Sequence, residues 1–334
     1  MDAVTDGAPN LRRRNDDLGG YVRLHDISPR AYEMLHSNMI KPKFLRNCCF
    51  LVCLIGSLSA CTEPAPKLSE VWRLTAPIAY PESVVFDEKR NVLYVSNIAK
   101  PNQKKDRKGF IARIAVGGKS VPEKFITDLH RPYGIALHQN ELYIADIDQV
   151  LVADLETGEI TERYDAPGAI RLNDIVVDSD GPVYISDSKG DKLWRLLDGK
   201  MQPWIDSPQL RSPNGLLLTE EGLIVAAGDE SQAKPDASRY LKTVSADGNL
   251  IEPLYNNTPI GAVDAVESDR HSGFFLTDWR AGTVMHVSSN RKPPVKILQK
   301  LTKGAANLTY IPDKNLLVVP IMLSSELIAY RVEW

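Results

Sequence analysis

Four residues in this chain share a setting that suits them to holding a hard cation. Glu82 in PESVVF, Asn173 in RLNDIVVD, Asn214 in PNGLLL and Asp264 in VDAVES each stand at the head of a short apolar run. Two carboxylates and two amide carbonyls are hard oxygen donors, a set that favours Ca²⁺ over Zn²⁺, which wants His or Cys. The four are far apart in sequence. A fold that repeats one unit around a common axis would bring them together.

That repeat is legible. Arg171 to Asp187 reads as a polar anchor, an apolar strand, a turn rich in Asp and Gly, and a second strand closing on Asp187, which is one β-hairpin. Aligned on the anchor, the unit recurs at Glu82, Tyr133, Asn173, Asn214, Asp264 and Ala306, at intervals of 51, 40, 41, 50 and 42 residues. A period near forty built from short strands predicts an all-β, six-bladed β-propeller with a central metal site. Its anchors begin the innermost strands and converge on the axis. A lone polar residue at such a strand head commonly satisfies backbone groups, but four at equivalent positions point to a ligand set. Tyr133 and Ala306 break the ring of ligands and leave an open side for water and substrate. Tyr133 and, beside Ala306, Asn307 are the residues expected to face substrate there.

Two further strand-like runs, Val71 to Thr75 and Leu327 to Trp334, flank the hairpins; pairing them in the last blade would close the ring and hide two edges. Blades one and four carry insertions, Ile98 to Gly109 and Asp229 to Arg239. Strand alternation puts both on the face that holds the anchors, where a rigid scaffold presents its chemistry. Asn97, Asp146, Asp187 and Asp278 end second strands on that face and read as supports behind the ligands or as turn formers.

These segments, in this order, resemble the gluconolactonase/regucalcin (senescence-marker-like) family of six-bladed propellers. The resemblance covers about Val71 to Trp334. It implies a divalent metal held by Glu82, Asn173, Asn214 and Asp264, and a substrate contact at Arg171, two residues before the blade-three Asn. Ser83 and Ala265 depart from the family pattern, which has Pro and Gly there. The activity implied is metal-dependent hydrolysis of a small-molecule lactone or related ester. The cation would polarise the carbonyl, Asp264 would act as general base toward a water, and Arg171 would orient the substrate. The competing class is a non-enzymatic propeller whose top face binds a sugar, peptide or protein.

The rest of the sequence narrows the setting. A formal charge of -3 gives no reason to expect nucleic acid as a partner. All four cysteines (Cys48, Cys49, Cys53, Cys61) precede the repeats, so the propeller has neither disulfide nor thiol nucleophile. Residues 1–38 have no core periodicity and read as a disordered or over-long extension. Residues 39–60 carry a basic start, an apolar stretch and Leu58-Ser59-Ala60 before Cys61. That layout fits an export signal whose ending resembles the bacterial lipoprotein box, with Cys61 lipidated and the domain tethered outside the cytoplasm through residues 61–70. Gly117 to Ser120 lacks the first glycine of a phosphate loop and reads as a hairpin turn. His130 is a conceivable acid or base near the top of blade two. Lys100, Lys104, Lys105, Arg107 and Lys108 form a basic loop that could attract anions.

Overall fold

The hairpin repeat is part of a four-stranded antiparallel sheet that occurs six times in the computed structural model. The structure describes residues 65–100, 105–119, 122–227, 241–255, 260–288 and 295–334. The export-type segment with Cys61, the extension before it and the blade-four insertion lie outside the described residues. Among the described residues no helix is long and apolar enough to cross a membrane.

The innermost strands of blades one to six are Pro81–Asp87, Pro132–His138, Leu172–Val177, Pro213–Thr219, Val263–Ser268 and Thr309–Ile311. Second strands such as Val183–Asp187 and Phe274–Asp278 are buried along their whole length, because both faces of a blade pack on its neighbours. Their sequences accordingly run apolar without alternation, Val183 to Ile185 and Phe274 to Leu276, before a polar pair ends each strand. Outermost strands such as Ile160–Asp165 are largely exposed. The core therefore lies between blades. Tyr94, Ile111 and Ile126 of blade one pack with Ile135, Leu142 and Leu151 of blade two, and Ala145 of blade two packs with Leu172 and Trp194 of blade three.

The ring closes as the flanking runs suggested. Lys67–Leu74, starting before the expected Val71, pairs antiparallel with Glu326–Glu333 and forms the outer edge of blade six. At the axis the Asn307 N–H donates to the Glu82 carbonyl at 2.8 Å, joining blade six to blade one.

Every anchor of blades one to five sits in a register break. Pairing with the second strand is interrupted between Pro81 and Val84, Pro132 and Ile135, Leu172 and Ile175, Pro213 and Leu216, and Val263 and Val266. A bulge leaves residues unpaired and re-aims side chains, which is how an anchor escapes strict alternation. The N–H freed after the anchor finds a hydroxyl on the second strand: Ser83 donates to Ser96 Oγ at 2.9 Å, Asp174 to Ser186 Oγ at 2.9 Å and Ala265 to Thr277 Oγ1 at 3.0 Å. Blades two and four have Ala145 and Ala226 in that place and a glycine after the anchor. Gly134 and Gly215 let the next inner strand approach until a Cβ would stand 2.6 Å from the Asn173 carbonyl oxygen or 2.4 Å from that of Asp264.

Candidate metal and substrate site

The bulges direct the anchors into one cavity of about 400 Å³ at the heads of the inner strands. Glu82, Asn173, Asn214 and Asp264 all line it, together with Tyr133 and Arg171. Asn307 is placed elsewhere: its Nδ2 donates to Asp174 Oδ1 at 2.8 Å. It lines a second cavity of about 340 Å³ farther along the inner strands, mainly apolar apart from Ser83, Asp174, Glu267, Asn307 and Thr309. His130 lines neither cavity.

Side chains that end the second strands hold the approach to each anchor. Asn97 Oδ1 accepts the Ala79 N–H at 2.9 Å, and Asp146 accepts those of His130 at 2.9 Å and Arg131 at 2.5 Å. Asp187 accepts from Ile170 and Arg171, both at 2.9 Å, and Asp278 from Ala262 at 2.9 Å. A hydroxyl residue followed by Asn or Asp, as in Ser96-Asn97, Ser186-Asp187 and Thr277-Asp278, thus serves both bulge and clamp. That dipeptide was readable in the sequence as a recurring strand ending. Replacing Asp187 by Ala strips partly buried N–H groups of their acceptor, and we expect a cost of about 1–3 kcal/mol. Asp187→Asn, which keeps one carbonyl oxygen, should recover part of it. Thermal melting reads both, and an Ala variant that melts like the wild type would show the clamp to be dispensable.

The donor chemistry fits a hard cation. Asn173 Nδ2 donates to Ser188 Oγ at 3.1 Å and Asn214 Nδ2 to Asp264 Oδ1 at 2.8 Å. With its NH₂ group engaged, Asn173 presents its carbonyl oxygen. Asn173 Oδ1 and Glu82 Oε2 are buried and accept no hydrogen bond, a condition costing about 1–3 kcal/mol per group unless something positive is bound. Burial pushes the Glu82 carboxyl well above its ordinary range, and the negative charges of Asp264 and Asp174 push it further, against the pull of Arg171. A divalent ion would relieve both the orphaned oxygens and the repulsion. Among the described residues no group of three or more His, Cys, Asp and Glu side chains is gathered as a metal site. The axial set has two carboxylates and leans on amide oxygens, as suits Ca²⁺.

Arg171 is held from several sides. Its Nε donates to Ser188 Oγ at 2.9 Å, and its guanidinium carbon lies 5.7 Å from the Tyr133 ring centre. Ser188 therefore ties Arg171 to Asn173. Sequence reasoning did not single out Ser188, nor Arg131, Trp279 and Arg280, which also line the cavity. Arg131 and Arg280 lie just outside their strands, where no periodicity marks them. Tyr80, Ile98, Met322 and Leu323, from blades one and six, add a less polar wall, and Ile98 begins the blade-one insertion.

A family model described as the SMP-30/gluconolactonase/LRE-like region matches residues 80–309. No curated protein matches the chain. Among solved structures, a gluconolactonase from Xanthomonas campestris superposes with a TM-score of 0.60 at 17% identity, covering 80% of this chain and 95% of that one. A catalytically inactive virginiamycin B lyase from Staphylococcus aureus, solved with quinupristin, gives 0.54 at 16% identity, covering 80% and 99%. A streptogramin B lyase gives 0.54 at 15%, covering 80% and 98%. At these identities the likeness to solved structures establishes the propeller fold alone. The family model spans more than half of the 334 residues, and with it the strand heads that carry the four anchors. The chain belongs to the SMP-30/gluconolactonase/LRE-like family.

Proposed function

We propose that the axial cavity is a hydrolase site for a lactone or related ester, working with a divalent cation, Ca²⁺ by preference, held by Glu82, Asn173, Asn214 and Asp264. The observation that carries this reading is the convergence of four oxygen donors in one cavity, with Glu82 Oε2 and Asn173 Oδ1 buried without a hydrogen-bond partner. Bound there, the cation would supply Lewis-acid polarisation of the ester carbonyl and a positive centre for the charge that develops on its oxygen.

The chain's own groups do the rest. Asp264, oriented by Asn214 Nδ2, takes the proton of an attacking water. Arg171, fixed by Ser188 and by the Asp187 clamp on its backbone, holds substrate oxygens. Tyr133 offers its ring beside Arg171, and the wall from blades one and six shields the reacting bond from bulk water. A cavity of about 400 Å³ suits a ligand the size of a sugar lactone.

Metal-stripped protein should bind one Ca²⁺ in a calorimetric titration and hydrolyse members of a lactone panel only when the ion is restored. Absence of both binding and hydrolysis would make the anchors strand caps and leave a non-enzymatic binding propeller.

A further inference from the structure

Arg131 lines the cavity without serving metal binding or the reaction. Arg131 is only 6% exposed. Its Nε and Nη2 donate to Tyr133 Oη at 3.2 and 3.0 Å, and its Nη1 donates to the Lys100 carbonyl at 3.1 Å. Those partners are neutral. Among the described residues no carboxylate lies within ion-pair distance of the Arg131 guanidinium, and burying such a charge without a counter-ion is costly. A guanidinium carries five N–H bonds. Three are engaged, leaving one on Nη1 and one on Nη2.

Two further guanidiniums share the cavity with Arg131. Arg131 and Arg171 share the Tyr133 ring, with guanidinium carbons 5.5 and 5.7 Å from its centre. Arg280 lines the same cavity from blade five. Among the described residues, three guanidiniums and two carboxylates, Glu82 and Asp264, line this cavity. A divalent cation on the two carboxylates would leave the buried Arg131 charge without an ion partner among the described residues.

We propose that the natural ligand is an anion: a lactone or ester bearing a carboxylate remote from the reacting carbonyl, gripped by Arg131 with Arg171 beside it across Tyr133. Arg131 is then the specificity-determining residue. The two N–H groups it has left match the two oxygens of a carboxylate. Lactones of sugar diacids have this form, and simple aldonolactones do not. The substrate class rests on the hydrolase reading above; the anion subsite itself does not.

The test pairs a sugar-diacid lactone with its own methyl ester, which removes the charge and adds one methyl group. For Ca²⁺-loaded wild type, kcat/KM should favour the acid by about 10- to 100-fold, the worth of a hydrogen-bonded ion contact. Arg131→Met should erase that preference, and Arg131→Lys, which keeps charge but not the fork, should restore part of it. Thermal melting identifies any variant that fails to fold, and Arg131→Lys then carries the comparison. In parallel, calorimetry with the ring-opened diacid and its monomethyl ester should show tighter binding of the diacid to wild type alone. Equal turnover and equal binding of the charged and neutral forms would overturn the proposal while leaving a lactonase intact. Selective diacid binding with no hydrolysis of any lactone would support the anion subsite and overturn the hydrolase reading instead. A preference for a phosphorylated lactone over the carboxylate would overturn the assignment to a carboxylate.

Discussion

Asp264→Asn should lower kcat by about 10²- to 10⁴-fold at saturating Ca²⁺, the range expected when a general base is removed. The exchange keeps the shape of the side chain and its neighbour Asn214, which bonds Asp264 Oδ1 at 2.8 Å, so the lost step is proton acceptance rather than architecture. Glu82→Gln should behave differently. It removes one charge from the ligand set, so its Ca²⁺ midpoint should rise while added ion restores much of the turnover. The metal-free proteins make the sharper comparison. Burial and the nearby Asp264 and Asp174 already hold the Glu82 carboxyl well above its ordinary range, so neutralising it should leave the metal-free melting temperature unchanged or higher. The sign with pH follows. A cation competes with the proton that burial and repulsion keep on Glu82, so Ca²⁺ affinity of the wild type should increase as pH rises, and Glu82→Gln should flatten that slope. Calorimetric titration across pH, melting in chelator and lactone turnover read all three effects. If Glu82→Gln lowers the metal-free melting temperature with no change in Ca²⁺ binding, Glu82 is a strand cap and nothing more.

The second large effect is expected from a single methyl group at Gly215. An added Cβ would lie 2.4 Å from the Asp264 carbonyl oxygen and 3.0 Å from Ala265 Cα. Both are backbone atoms of the neighbouring inner strand, so no side chain can swing aside. Gly215→Ala must push blade five away from blade four at the residue that bears the base. We expect a loss of about 1–3 kcal/mol, a fall in Tm of roughly 2–10 °C for a domain of this size, and a drop in turnover at any Ca²⁺ concentration. Gly117→Ala is the control, since nothing lies within 4 Å of a Cβ built there. Matching melts and matching rates for the two alanine variants would show that the strand pair has slack.

Much of this architecture was legible before any coordinates, because it is local and repeated. Each blade is a contiguous stretch of chain, so the forty-residue period, the six anchors and the flanking runs that close blade six could be read from apolar runs and turn residues alone. The same periodicity put Glu82, Asn173, Asn214 and Asp264 at equivalent strand heads, and the cavity gathers all four with Tyr133 and Arg171. What tertiary structure alone decided depends on how strands register against one another. Side chains alternate across a strand, so a bulge at the anchor determines which of two adjacent residues faces the cavity. The sequence offered Asn307 beside Ala306 as a substrate contact, whereas cross-ring pairing with blade one turns it to Asp174 and the second cavity. Arg131 carried no periodic signal. It enters the cavity because Asp146 holds its backbone while Tyr133 and the Lys100 carbonyl take its guanidinium, contacts that join separate segments of chain and exist only once the blade and its insertion have packed.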